Sequence, residues 1–265
     1  MKKIGFVDYY ISEWHANNYP VWIKNLNCGY EVTHAWAELD TSPVDGRTTE
    51  QWCDEFGVEH CNTIDELCQK CDAVIILAPS NPEKHLGYAE AVLKHGKPTY
   101  IDKTFAPNLD TAKAIFDMAK RYSTPFFSTS ALRFASELDE LIGGDNFIIT
   151  GGGSNFPEYC VHTTEMAIKL LDDKIESTSV TCQGEQRICS VSSKGGKKAT
   201  IIYAPPLPFS VACNRADGKS VYVKITSDFF GELMKDIIRF FETGDVSFNV
   251  EQTLDIMELR DKLLW

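Results

Sequence analysis

The sequence predicts an α/β protein: a doubly wound parallel sheet over residues 1–128, followed by a smaller α+β domain with a mostly antiparallel sheet over residues 129–265. Three observations carry this expectation. Ala73-Val74-Ile75-Ile76-Leu77-Ala78 is a continuous apolar run, as a parallel strand buried on both faces requires. Around it, strand-like runs alternate with amphipathic helical stretches, the pattern of a parallel sheet with crossover helices. In the second half, strand-like segments follow one another without intervening helices, which indicates antiparallel pairing.

Taken in order, Lys3 to Val7 is a short apolar strand, and the next glycine after Gly5 is Gly29. The connection that follows, Asp8-Tyr9-Tyr10-Ile11-Ser12-Glu13-Trp14-His15, is crowded with aromatics. Pro20 suits the first turn of a helix with Asn18 as its cap, which makes that connection long. Glu31 to Leu39 reads as a second strand ending in acidic residues. Thr48 with Gln51 and Thr63 with Glu66 have capping-box spacing, so two short helices follow. After the apolar run, Pro79-Ser80-Asn81-Pro82 turns the chain into a helix, with Ser80 or Asn81 as cap, that runs to His95 and is stopped by Gly96. The stretch from Pro98 to Ile101 is a strand, Asn108 caps a helix through Arg121, and Pro125 to Ser128 is the next strand.

Beyond a short helix at Ser136 to Ile142 come Phe147 to Thr150, three glycines at 151–153, and a helix around Tyr159 to Leu171. Strands are expected at Ile175 to Cys182, Gln186 to Ser192, Lys198 to Tyr203, Phe209 to Asn214 and Ser220 to Thr226. Helices at Phe229 to Phe241 and Gln252 to Leu264 close the chain.

Composition narrows the function. A formal charge of −12 with no basic block argues against nucleic acid, whose phosphates need a clustered basic surface. The longest mid-chain apolar run is far short of a membrane span, and Asp8 and Glu13 interrupt what a leader would need. The expectation is a cytoplasmic protein. Nine cysteines, an odd number in a chain of 265 residues, read as reduced thiols. A metal is not expected: Cys68-Gln69-Lys70-Cys71 is a lone pair at a helix end, and a zinc site with Cys53, His60 and Cys61 lacks the usual second paired motif.

The chemistry centres on Gly96-Lys97-Pro98-Thr99-Tyr100-Ile101-Asp102-Lys103-Thr104. Lys103 falls at the carboxyl end of a strand, where ligands bind in an open α/β sheet. Residues 48–104, through the Gly96-Lys97 stop and into Asp102-Lys103-Thr104, resemble the amino-terminal Rossmann-like domain of the Gfo/Idh/MocA oxidoreductases, whose matching strand ends in Glu-Lys-Pro. The helix over 108–121, Ala131-Leu132-Arg133-Phe134, the spacing of Glu158 and His162, and the last helix are similar as well.

The resemblance implies an NAD- or NADP-dependent oxidoreductase acting on a sugar, cyclitol or related polyol, with a homo-oligomeric assembly. It implies Lys103, His162 and Glu158 as catalytic residues: His162 as base, Lys103 as donor to the substrate oxygen, and Glu158 orienting the imidazole from one helical turn away. Around the cofactor it implies Asp8, Tyr9, Glu38, Pro79, Ser80, Asn81, His85 and Asp102, with Glu38 placed to meet a ribose hydroxyl.

This sequence also departs from the family. The first turn holds no glycine, Asp8 would repel a pyrophosphate, Asp102 shortens the family's glutamate, Thr104 replaces its proline, and the carboxyl-terminal part is abbreviated. Read without the resemblance, Lys103 is an exposed strand-end lysine, Glu158 with His162 is a solvated helical pair worth about 0.3–0.5 kcal/mol, and His85 is a surface helix residue. An active oxidoreductase with an unusual nucleotide loop, a non-catalytic sensor on the same fold, and an assembly protein all remain open.

Overall fold

The computed structural model describes residues 1–215 and 218–264. The chain forms two compact units, one of Met1–Thr129 with Leu233–Val250, the other of Ser130–Glu232 with Glu251–Trp265.

The first unit is built on a six-stranded sheet in the order β3-β2-β1-β4-β5-β6, all neighbours parallel. Its strands are β1 (Lys2–Asp8), β2 (Tyr30–Ala37), β3 (Glu59–His60), β4 (Ala73–Ile76), β5 (Thr99–Ile101) and β6 (Phe126–Phe127). The helices between them are α1 (Trp14–Asn25), α2 (Thr49–Phe56), α3 (Ile64–Lys70), α4 (His85–Leu93) and α5 (Leu109–Tyr122). The expected doubly wound sheet is present, and its strand order reverses between β1 and β4, the point where such folds open a crevice at the strands' carboxyl ends. All four residues of β4 are buried, as its unbroken apolar sequence requires. Gly5 lets α3 approach β1, because a Cβ there would lie 2.3 Å from Leu67 Cδ2.

Local chemistry sets most boundaries. Thr48 and Gln51 close a reciprocal capping box on α2, and Asn108 caps α5 through the Thr111 N–H. Gly96 turns with φ 68° after α4, a conformation glycine adopts without a steric penalty. Two expectations are corrected. Helix α1 begins at Trp14 rather than near Pro20, because the Glu13 side chain supplies the cap; Pro20 lies inside the helix. Ahead of α4, Pro82–Lys84 form a short 3-10 turn, and neither it nor α4 has a side-chain cap from the preceding residue; α4 ends at Leu93, before His95. The two-residue strand β3 is too short to show in the sequence pattern.

The second unit carries a six-stranded sheet ordered β12-β11-β7-β10-β9-β8. Its strands are β7 (Asp145–Gly151), β8 (Ile175–Gln183), β9 (Gln186–Ser193), β10 (Lys198–Tyr203), β11 (Ser210–Asn214) and β12 (Ser220–Lys224). Only β7 and β10 pair in parallel; the other neighbours are antiparallel. The short α6 (Ser136–Asp139), the long α7 (Phe156–Leu171) and α9 (Gln252–Leu264) belong to this unit. Phe147, Ile149, Ile201 and Val211 from the sheet share a core with Cys160, Met166 and Leu170 of α7 and with Leu259 of α9. The chain re-enters the first unit within α8 (Phe229–Thr243). No helix of the described residues is long and apolar enough to cross a membrane.

Candidate functional site

At the end of β1 the backbone passes directly into a tight connection fixed by carboxylates. Asp8 is buried, and its Oδ1 accepts from the N–H groups of Tyr9 at 2.7 Å and Ala78 at 3.0 Å. Its Oδ2 is also buried and has no hydrogen-bond partner. Burial pushes the Asp8 carboxyl well above the usual carboxylate range, and the nearby Glu13 charge adds to the effect. Five residues on, Glu13 caps α1 with both oxygens: Oε2 accepts from the His15 N–H at 2.8 Å and Oε1 from the Ala16 N–H. Asp8 was expected to face a ligand and repel its phosphates. Its carboxyl is instead turned into the protein, binding backbone of β1 and of the turn after β4.

The acidic residue after β2 is closed by its own neighbours. Glu38 Oε1 accepts from Lys84 Nζ at 2.6 Å and Oε2 from the Tyr88 hydroxyl at 2.7 Å, and the Lys84 hydrogen bond holds its carboxyl below the usual range. The Lys84 ammonium also lies 4.4 Å from the centre of the Tyr9 ring. Of the turn after β4, Pro79 is buried, Ser80 is exposed and Asn81 is half-buried, with Asn81 Nδ2 donating to Glu83 Oε1 at 2.9 Å. His85 is neither on the surface nor open to a ligand. It is fully buried, with Nδ1 3.0 Å from the Phe105 carbonyl and Nε2 against the Leu77 carbonyl. Burial pulls its pKa down, so its role is to tie the turn after β4 to the one after β5.

The end of β5 holds a buried polar cluster centred on Asp102. Asp102 is 1% exposed. Its Oδ1 accepts from the Lys103 N–H at 2.9 Å and the Tyr100 hydroxyl at 3.2 Å, with the Tyr19 hydroxyl at 3.4 Å, while Oδ2 is bound to His15 Nδ1. Burial alone would raise the carboxyl, but His15 and Lys103 outweigh it and hold Asp102 below the usual range. The His15 ring stacks on Tyr19, with centroids 5.2 Å apart and planes 11° from parallel. Lys103 is half-buried, its Nζ 3.4 Å from the Pro79 carbonyl, and the Lys103–Thr104 peptide is cis. Thus Asp102, Lys103 and Pro79 come together at the end of β5. Glu13, His15 and Tyr19, which the sequence does not mark as site residues, join them; their one signal is the crowded loop after β1.

In the second unit, His162 is half-buried on α7. Its Nδ1 lies 2.7 Å from Ser130 Oγ, and Tyr159 and Phe209 meet the ring edge-on. Glu158, one turn earlier, accepts from the Asn155 side chain at 3.1 Å, within the cap of the helix. One turn after His162, Glu165 is buried. It accepts from the Ser130 N–H at 3.0 Å and pairs with Arg133. Ser130 therefore orients His162 while being held by Glu165.

The cysteines Cys53, Cys61, Cys68 and Cys71 are buried, and burial pushes the thiols of Cys68 and Cys71 up to about 12. Among the described residues no cluster of three metal-ligating side chains forms. A surface cleft of about 510 Å³ beside Phe116, Pro125 and Val250 holds none of the candidate site residues.

Residues 31–129 match the profile of an oxidoreductase family with an NAD-binding Rossmann fold, the Gfo/Idh/MocA family, so the resemblance read from the motifs holds over this segment. No curated protein matches the chain in sequence. A probable dehydrogenase from Thermotoga maritima superposes with a TM-score of 0.81 at 13% identity, over 99% of this chain and 95% of its own. Biliverdin reductase from Synechocystis sp. PCC 6803, solved with biliverdin and NADP+, gives 0.74 at 13% identity over 99% and 98%. UDP-N-acetylglucosamine 3-dehydrogenase from Acidithiobacillus ferrooxidans gives 0.78 at 10% identity over 99% and 96%. At these identities the likeness is one of fold. Set against a dinucleotide, the residues agree in part: Glu38 directly follows β2, where a ribose acid belongs. The first turn does not fit, since a pyrophosphate needs the free N–H groups of α1 and Glu13 already holds them.

Proposed function

We propose that this protein is an oxidoreductase acting on a small polyhydroxylated compound, a sugar or cyclitol, with NAD or NADP as its redox partner. The observation that carries the reading is the Asp102–Lys103 pair at the carboxyl end of β5, inside the segment that matches the oxidoreductase family. A strand-end ammonium beside a buried carboxylate is suited to donate to a substrate oxygen and to stabilise charge developing on it. Asp102 fixes the Lys103 backbone and so the direction in which its side chain leaves the strand. His162 keeps the role of base, with Ser130 setting its ring and Glu158 a turn away on α7. The same reading takes in Tyr9, Pro79, Ser80 and Asn81 as ligand-facing residues, a cytoplasmic location and a homo-oligomer.

Thermal-shift titration with NAD+, NADH, NADP+ and NADPH tests it. A ligand at a hundredfold over its Kd adds about 2.7 kcal/mol to stability, which gives a clear rise in Tm. Where one nucleotide binds, Lys103→Met should abolish turnover and leave that nucleotide's affinity unchanged; unchanged turnover removes Lys103 from the mechanism. A second reading, a non-catalytic binding protein on the same fold, is favoured by the occupied start of α1. It is selected if none of the four nucleotides raises Tm while a polyol does.

A further inference from the structure

We infer that the pyrophosphate seat of this Rossmann fold is permanently filled by the protein's own Glu13 carboxylate, so that no dinucleotide is held through the start of α1. In a dinucleotide fold the first strand leads through a glycine turn to a helix whose free N–H groups take the pyrophosphate. Here the two oxygens of Glu13 stand where phosphate oxygens would, one on the His15 N–H and one on the Ala16 N–H. Glu13 is only 8% exposed, so the anion in the seat is not a surface side chain that swings away.

The surrounding loop is knitted in place. Tyr9 and Ala78 donate to Asp8, the Glu38 and Leu39 N–H groups donate to the Asp8 and Tyr9 carbonyls, Ser12 Oγ donates to Asp45, and Ser42 Oγ donates to the Ser12 carbonyl. These bonds tie residues 8–12 to the segments after β2 and β4. Displacing Glu13 would strip a buried carboxylate of its two backbone donors and disturb this lattice. The field points the same way. Asp102, held below the usual carboxylate range by His15 and Lys103, lies within electrostatic reach of Glu13. An incoming polyanion would meet the Glu13 carboxylate on the His15 and Ala16 N–H groups, where a dinucleotide fold presents bare donors.

The inference holds whether or not the protein is an oxidoreductase. It is tested on the full chain with inorganic pyrophosphate, NAD+ and NADP+, read by calorimetry and by the amide resonances of His15 and Ala16. In the wild-type protein those two amides should stay in place under pyrophosphate; if both move, the inference is overturned. In Asp8→Gly/Glu13→Ser, where serine still caps the helix, pyrophosphate affinity should rise at least about tenfold. A double variant with wild-type circular dichroism and no gain overturns the inference as well. Should the variant not fold, the wild-type amides decide alone. Nucleotide heat on the wild type reports separately on the oxidoreductase reading. Heat with both amides unmoved leaves reading and inference standing together, and no heat, with no rise in Tm from any of the four nucleotides, removes the reading while the inference stands.

Discussion

Asp8 and Asp102 are buried carboxyl groups at the ends of neighbouring parts of one sheet, yet their environments act in opposite directions. Asp102 is held below its usual range by His15 and Lys103. Its contribution to stability is therefore full above the unfolded value of about 3.9 and is lost as pH falls through the lower folded value. Asp102→Asn should destabilise the protein at pH 7, with the deficit shrinking below about pH 4; a deficit independent of pH would mean that the His15 pair carries no charge. Asp8 is raised, so the folded state binds the extra proton and stability falls as pH rises above about 3.9. Asp8→Asn should thus gain on the wild type in denaturant midpoint as pH rises from 4 to 8, and a constant difference would show that Asp8 is ionised throughout. The sequence made Asp102 and Lys103 visible because strand ends are marked by composition. It hid His15, whose bond to Asp102 spans 87 positions, and it misread Asp8 because burial, not residue type, decides its charge.

Among the elements, α1 shows how a side chain overrides local preference. Glutamate is not a favoured N-cap, and proline within a helix costs about 3 kcal/mol, so the pattern pointed to a start near Pro20. The buried face of His15, Ala16, Tyr19 and Ile23 and the two bonds of Glu13 outweigh both preferences. Glu13→Ala should cost at least about 0.5–2 kcal/mol in chemical denaturation, the usual loss for a cap; a smaller loss would show that solvent replaces the carboxylate and that α1 does not depend on it. By contrast, α2 and α5 were legible because Thr48, Gln51 and Asn108 follow the ordinary capping chemistry. Glu165 of α7, in its buried pair with Arg133, also holds Ser130 by accepting from its N–H. Glu165→Ala should cost about 3–5 kcal/mol by stranding a buried guanidinium, and it should alter the pH titration of His162 followed by NMR, because Ser130 loses its anchor. A stability loss with an unchanged His162 titration would confine Glu165 to packing.

For the whole molecule, the chain order is not the order of the compact units. Sequence texture changes near residue 128, where alternating strands and helices give way to successive strands, and nothing in the pattern reveals that a later segment belongs with the first sheet. Leu233–Val250 does so. Phe240 meets Phe127 edge-on at 4.9 Å, Phe241 lies 6.0 Å from Tyr30, and Phe248 lies 6.1 Å from Phe127. Leu233, Met234, Ile237 and Phe240 have no exposed surface. Burying a large apolar side chain contributes about 1.5–3 kcal/mol, and a folded domain has only about 5–15 kcal/mol in all. A fragment ending at residue 128 should therefore expose the face around Tyr30 and Phe127, bind a hydrophobic dye and lack a cooperative thermal transition. The same fragment extended to 129 and joined by a flexible linker to residues 233–250 should melt cooperatively and exclude the dye. Cooperative melting of the shorter fragment would mean that the parallel sheet and its five helices suffice, and that the returning helix is an addition to a core already complete.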